Sequence, residues 1–155
     1  QRAYDLNFRP RLWSPEKAQE ALIQLAPFID VLLPSLDDIA AMTRRPSMSI
    51  EEALQWLHPL GVETILLRCA AEGAVLIEYR SGHPPRVQVI PGRAVAAIDA
   101  TGAGDCFNGN FIAARLRGLS YIEAAHEANH AAAQSTLIYG AIGSFPKRSL
   151  TNKLG

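Results

Sequence analysis

The sequence predicts an α/β protein with a mainly parallel sheet covered by helices. Three observations point there. Strand-like apolar runs alternate with helix-like segments, the order in which a parallel sheet is built. Val62 to Arg68 (VETILLR) is β-branched and largely apolar, as expected of a strand buried on both faces. Helix punctuation recurs between the strands: Ser14-Pro15-Glu16 and Ser49-Ile50-Glu51-Glu52 are start signals, and Pro27, Pro59 and Gly61 are stops.

Taken in order, Ala3 to Phe8 reads as a short strand running into a polar mouth, Asp5 to Pro10. A helix follows, capped by Ser14 and reaching about Leu25. Asp30 to Leu33 is a short strand ended by Pro34-Ser35, and Asp37-Asp38 open a second helix. Ser49 caps a third, Ile50 to His58. Behind the Val62 to Arg68 strand, Ala74 to Tyr79 is another, then Gly82-His83-Pro84-Pro85 turns the chain into Arg86 to Ile90. From Gly102 the pattern is helical, Gly102 to Leu116 and then Tyr121 to about Tyr139. Gly140 onward is loop. Residues 1–146 thus form one domain portion, and 147–155 a short basic tail.

Bulk properties narrow the function. The 155 residues suffice for one domain with a core, and 48% hydrophobic with 19% charged residues is globular composition. Fifteen basic residues balance fifteen acidic ones, so no global field draws the chain to nucleic acid or to a membrane surface. Basic and aromatic residues do not interleave either. No apolar run approaches the ~20 residues that span a bilayer. Two cysteines without a CxxC pair fit a reduced, cytoplasmic protein. The first residues lack signal-peptide shape and an initiator Met, and the start reads as cut.

The chemistry is concentrated in Asp99-Ala100-Thr101-Gly102-Ala103-Gly104-Asp105, which leads directly into a helix. Phosphoryl transfer depends on positioning and on stabilising negative charge. A helix N-terminus offers unpaired N–H groups and a partial positive charge, and glycine lets phosphate oxygens approach the backbone. Gly102, Ala103 and Gly104 therefore suit an anion hole, and Asp105 beside them suits a base for an attacking hydroxyl. A tight turn that only caps a helix would look similar, and that alternative stands on these residues alone.

The same segment resembles the DTTGAGD-like signature of the PfkB/ribokinase sugar kinases, matched at Asp99, Thr101, Gly102, Ala103, Gly104, Asp105 and Gly109. Ala100 and Asn110 depart from it, the latter where the family prefers Gly or Ala on a closely packed helix. The resemblance implies Asp105 as catalytic base and Gly102–Gly104 as anion hole. Tyr4-Asp5-Leu6-Asn7-Phe8-Arg9 with Leu12-Trp13 resembles a D-x-N-x-R…LW stretch of fructokinase-like and 2-keto-3-deoxygluconate kinases, which carries over Asn7 to the nucleotide and Arg9 to nucleotide and substrate. Leu32 to Asp38 resembles a strand-then-loop segment in the same enzymes and brings in Ser35. Arg68-Cys69-Ala70-Ala71-Glu72-Gly73 stands where they have a K-x-G-x-x-G-like nucleotide loop, with Arg68 for Lys and Ala70 for Gly. Thr101 and Asn129 complete the nucleotide set, Gly140 to Ser144 resembles the loop closing the adenine pocket, and Asp99 matches a residue near a monovalent-cation site in some members.

The resemblance covers residues 4 to 146 and implies a ribokinase-like three-layer sandwich, truncated. The family's Gly-rich N-terminal segment, sugar-pocket strands and lid have no match here. The implied cofactors are ATP and Mg²⁺, with a monovalent cation as an option. The implied acceptor is a sugar or sugar acid, 2-keto-3-deoxygluconate first and fructose second. A non-catalytic nucleotide-binding fragment, and assembly into a homo-oligomer, stay open.

One rival motif remains. His126-Glu127-Ala128-Asn129-His130 matches the His-Glu-x-x-His pattern of zinc metalloproteases. Residues 131 to 155 contain no His, Asp, Glu or Cys to serve as a third ligand, so two surface histidines on an Ala-rich helix is the preferred reading. Cys106, at a helix start, has no evident His partner and reads as buried and inert.

Overall fold

The computed structural model describes residues 1–146; the basic tail expected at 147–155 lies outside the described residues. Among the described residues five strands form one sheet in the order β1-β2-β3-β4-β5: Ala3–Tyr4, Val31–Leu32, Thr64–Arg68, Gly73–Glu78 and Arg86–Pro91. The helices are α1 (Pro15–Leu25), α2 (Leu36–Thr43), α3 (Ile50–Leu57), α4 (Ala103–Leu116) and α5 (Tyr121–Ser135).

The α/β class holds, and the sheet is mixed. β1, β2 and β3 are parallel, whereas β3–β4 and β4–β5 are antiparallel. The reason is connection length. Only Cys69–Glu72 separates β3 from β4, far short of the dozen or more residues a parallel crossover requires. Three further boundaries are tighter than the sequence suggests. β1 stops at Tyr4 because the chain turns away from the sheet, with Asn7 at φ 40. β2 is confined to Val31–Leu32. α5 stops at Ser135 because the carbonyl of Thr136 accepts from the N–H groups of Ile98 and Asp99, while the N–H of Gly140 goes to the Asp99 carboxylate.

Strand alternation sorts the core into two layers. Leu32, Ile65, Leu67, Val75 and Ile77 face α1, α2 and α3, meeting Leu22, Ile39, Met42, Ala53 and Leu57. Val31, Leu33, Leu66, Leu76 and Ile90 face α4 and α5, meeting Phe107, Phe111, Ala114, Ala124 and Ala128. The result is a three-layer α/β/α sandwich. Leu66 and Leu67 point to opposite layers and each is 0% exposed; burying a leucine contributes about 1.5–3 kcal/mol. The caps expected at Ser14 and Ser49 form, and Ser35 and Ser120 cap α2 and α5 as well. Ser14 and Ser35 accept from the N–H of Lys17 and Asp38, and Ser49 and Ser120 form reciprocal capping boxes with Glu52 and Glu123.

Candidate functional site

The carboxyl ends of the three parallel strands open on one edge of the sheet, where α/β proteins ordinarily bind ligands. Asp5 follows β1, Leu33 to Ser35 follow β2, and Arg68 ends β3. A bridge between Ser35 and Arg68 and a 2.9 Å bond from the Arg68 N–H to the Pro34 carbonyl hold these ends together. The N-terminus of α4 is brought to the same edge.

There Gly102 is demanded by its left-handed backbone, and Gly104 leaves room for the Arg68 guanidinium. Gly102 caps α4 with φ 77, and a Cβ on it would meet Ala141 Cβ at 3.0 Å and Phe145 Cε1 at 3.3 Å. A Cβ on Gly104 would meet Arg68 Nη1 at 2.5 Å. Ala103 donates to the Ala100 carbonyl and Cys106 to that of Gly102, but the N–H groups of Gly104 and Asp105 have no acceptor among the described residues. Asp105 is exposed in this first turn. The arrangement offers free donors, a nearby guanidinium and an accessible carboxylate within one helical turn.

Arg68 is held from behind. Its Nη2 donates to Asp5 Oδ1 at 2.8 Å and to the Leu33 carbonyl at 3.1 Å. Asp5 Oδ2 accepts from Asn108 Nδ2 at 2.8 Å, so Asp5 bridges β3 to α4. Burial pushes the Asp5 carboxyl above the usual carboxylate range; Arg68 opposes this, and the neighbouring carboxylates of Asp38 and Asp105 reinforce it. The sequence reading did not assign Asp5 or Asn108 a role. Asn108 did carry a signal, as a polar residue between the core-facing Phe107 and Phe111.

The other sequence-assigned residues are placed as follows. Arg9 Nη1 donates to the Phe8 carbonyl and stands 3.9 Å from Asp38 Oδ1, at the same edge. Asn7 shapes that loop through its left-handed backbone. Ser35 Oγ is engaged in capping α2, and Thr101 donates its N–H to Asp99 Oδ1 at 2.9 Å. The other Asp99 oxygen accepts from Gly140 N–H at 2.9 Å. These bonds, the Thr101 hydroxyl first and then the two N–H groups, pull the Asp99 carboxyl down to about 2. Asp99 therefore staples the motif to the Gly140 loop. The Asn129 amide donates at 3.2 Å to the carbonyls of Ile90 and Pro91 on the edge strand.

The loop from Arg68 to Gly73 follows a path that explains the family preference for glycine. Ala70 adopts φ 49, where an L side chain costs about 1–2 kcal/mol. Ala70→Gly is expected to raise stability by about 1 kcal/mol, net of the extra chain entropy. A urea or thermal melt reads this; a lower midpoint would show that Ala70 is not left-handed in solution.

The zinc pattern does not assemble a ligand set. Glu127 is paired with Arg117, and His130 Nδ1 with Arg93. Among the described residues no three His, Cys, Asp or Glu side chains gather to hold a metal. Protein purified without a histidine tag is expected to hold well below one zinc per chain by elemental analysis, and one tight zinc lost on His126→Ala would reverse this. Both cysteines are buried and free, with burial raising both thiols, Cys69 to about 11.

The sequence model of the pfkB family carbohydrate kinases matches residues 1–148. A 2-dehydro-3-deoxygluconokinase of Haemophilus influenzae is 34% identical over 76% of this chain and 36% of its own length. A ribokinase of the same organism is 33% identical over 89% of this chain and 44% of its own. Among solved structures, a Vibrio cholerae fructokinase with fructose, ADP and calcium ion bound superposes with a TM-score of 0.77 at 29% identity. That likeness covers 93% of this chain and 47% of the fructokinase. The chain thus spans under half the length of these relatives.

Proposed function

This chain belongs to the pfkB family of carbohydrate kinases, and from that premise we propose that it supplies the nucleotide-binding and catalytic part of a kinase acting on a sugar or sugar-acid hydroxyl. The observation that carries the reading is the α4 N-terminus. Unpaired N–H groups of Gly104 and Asp105 and the Arg68 guanidinium surround the place where an anion would sit, and the Asp105 carboxylate stands beside it.

In this reading Asp105 takes the proton from the attacking hydroxyl as the oxygen–phosphorus bond forms. The backbone N–H groups around Gly102, Ala103 and Gly104 and the Arg68 guanidinium stabilise charge on the migrating phosphoryl. Arg9 reaches acceptor or phosphate, while Asn7, Ser35, Ala70, Gly73, Thr101 and Asn129 shape or line the nucleotide side. The edge fits ATP with Mg²⁺: magnesium binds oxygen, keeps several waters and relies on substrate phosphates, so a gathered set of protein ligands is not required. When bound, the ion supplies neutralisation of phosphate charge. Both Asp99 oxygens already accept N–H bonds, so toward a monovalent cation Asp99 offers only its remaining lone pairs.

For the acceptor, 2-keto-3-deoxygluconate is the first choice, supported by the Trp13 and Leu33-to-Asp38 matches and by the 2-dehydro-3-deoxygluconokinase relative. Fructose and ribose follow. No helix among the described residues is long and apolar enough to cross a membrane, and a cytoplasmic setting is proposed from the cysteine pattern.

Two measurements test this. The whole protein is expected to release ADP in a coupled assay with one of these acceptors and not in its absence. The 155 residues alone are expected to bind ATP weakly by calorimetry with little or no turnover, since they match under half of each relative. Robust turnover by the 155 residues would overturn the second expectation. ATP binding without turnover by the whole protein would favour a nucleotide-binding role.

A further inference from the structure

We propose that Asp5 is a positioning residue that acts through Arg68, fixing where the guanidinium stands beside the N-terminus of α4. The inference rests on the phosphoryl-transfer reading above and adds to it a part played by a carboxylate that would touch neither nucleotide nor acceptor.

The guanidinium has two working edges with different tasks. Its Nη2 is spent on Asp5 and the Leu33 carbonyl. Its Nη1 has no partner among the described residues and lies against Gly104, where even a methyl group would collide with it. The side chain is only 12% exposed, and Nε is buried without a partner. Arginine is held here by one edge and presented by the other. A planar fork whose Nη2 is held by two acceptors cannot rotate freely, so the direction of the Nη1 donors is set by Asp5 together with the Leu33 carbonyl.

Asp5 is itself fixed on its far oxygen by Asn108, one helical turn beyond Asp105. The distance between the Arg68 donors and the Asp105 turn is therefore governed by one carboxylate that grips both elements. A carboxylate this close to an anion site has a cost. Its charge opposes phosphate binding, and burial already disfavours its ionised form. A residue kept only for stability is poorly served by this place. One that holds an arginine for a charge developing during transfer is well served by it.

Asp5→Asn keeps the size and removes the charge, and it sets two readouts apart. An Arg68 released from Asp5 can fall forward onto a ground-state phosphate, so the ATP dissociation constant is expected to drop about three- to tenfold. With the donor direction lost, kcat is expected to fall about tenfold or more. In an Arg68→Met background most of both effects should vanish, and Arg68→Lys should restore little, because a lysine cannot be gripped at one edge and presented at the other. Calorimetry with ATP, ADP-release kinetics on the whole protein and thermal melts give the three numbers.

Weaker ATP binding together with a lower melting temperature in Asp5→Asn would make Asp5 a fold staple and overturn the proposal. So would either effect persisting in full without Arg68, since Asp5 would then act by its charge alone. If the wild-type protein phosphorylates no acceptor, the kinase reading fails by itself. The ATP titrations of the four variants still decide the positioning role.

Discussion

Asp105→Asn is expected to lower kcat of the whole protein by about 10²–10⁴-fold, the usual range when a general base is lost. The substitution keeps the volume and a polar group at the exposed first turn of α4. ATP affinity is expected to change little, because the donors beside it are main-chain N–H groups of Gly104 and Asp105 that the side-chain change leaves in place. Asp99→Asn is the informative partner. Asp99 grips Thr101 and Gly140 through hydrogen bonds to both oxygens, so its loss should loosen the turn and the loop with a milder effect on proton transfer. Its pH signature has a definite sign. A carboxyl depressed to about 2 in the folded chain contributes stability above its ordinary value of 3.8, and that contribution fades as pH falls toward 2. Kinetics of both variants with ATP titrations separate the roles. Near-normal kcat in Asp105→Asn beside an inactive Asp99→Asn would move the base to the other carboxylate. Loss of ATP binding in Asp105→Asn would reduce Asp105 to a helix cap.

The sequence made the elements legible because their signals are local. Ser49 with Glu52, the Pro15 start and the apolar Thr64–Leu67 run each declare themselves within a few residues. Gly102 and Gly104 were legible for the same reason, as a Gly-rich turn leading straight into a helix, whereas the approach of Gly104 to Arg68 was not. Pairwise partnerships were not. Asp5 lies 63 residues from Arg68 and 103 from Asn108 in the chain, and no periodicity links residues that meet only when β1, β3 and α4 converge. Asn129 shows the converse. Its place on an inward helix turn is local, but its amide is drawn to the Ile90 and Pro91 carbonyls by the position of the edge strand. The mixed sheet was legible in the four residues between Arg68 and Gly73, too few for a parallel crossover.

Gly73→Ala is expected to be the most destabilising small substitution in the loop from Arg68 to Gly73, at about 3 kcal/mol or more. Gly73 begins β4 at φ 103 and ψ −124, a conformation that belongs to glycine. A Cβ there would lie 2.2 Å from the Ile90 carbonyl oxygen and 2.3 Å from the Gly92 nitrogen. These are backbone atoms of the facing strand, not the tip of a side chain that could swing aside. Gly73 pairs with Pro91 at the end of the β4–β5 ladder, so relief requires that the ladder open. Gly92 answers from the other side, where a Cβ would come 2.1 Å from the Ala71 carbonyl oxygen. The loop that leads out of Arg68 is thus clamped against β5 by two glycines in mutual contact. For a chain of this size, a loss of about 3 kcal/mol lowers the melting temperature by roughly 6–12 °C. Gly104→Ala is the useful contrast, since its Cβ would meet only the end of the Arg68 side chain; it should change stability far less while displacing the guanidinium. Thermal melts of the two variants give the comparison. If Gly73→Ala melted like the parent, the loop would not lie against β5, and the close approach that places Arg68 at the head of α4 would have to be redrawn.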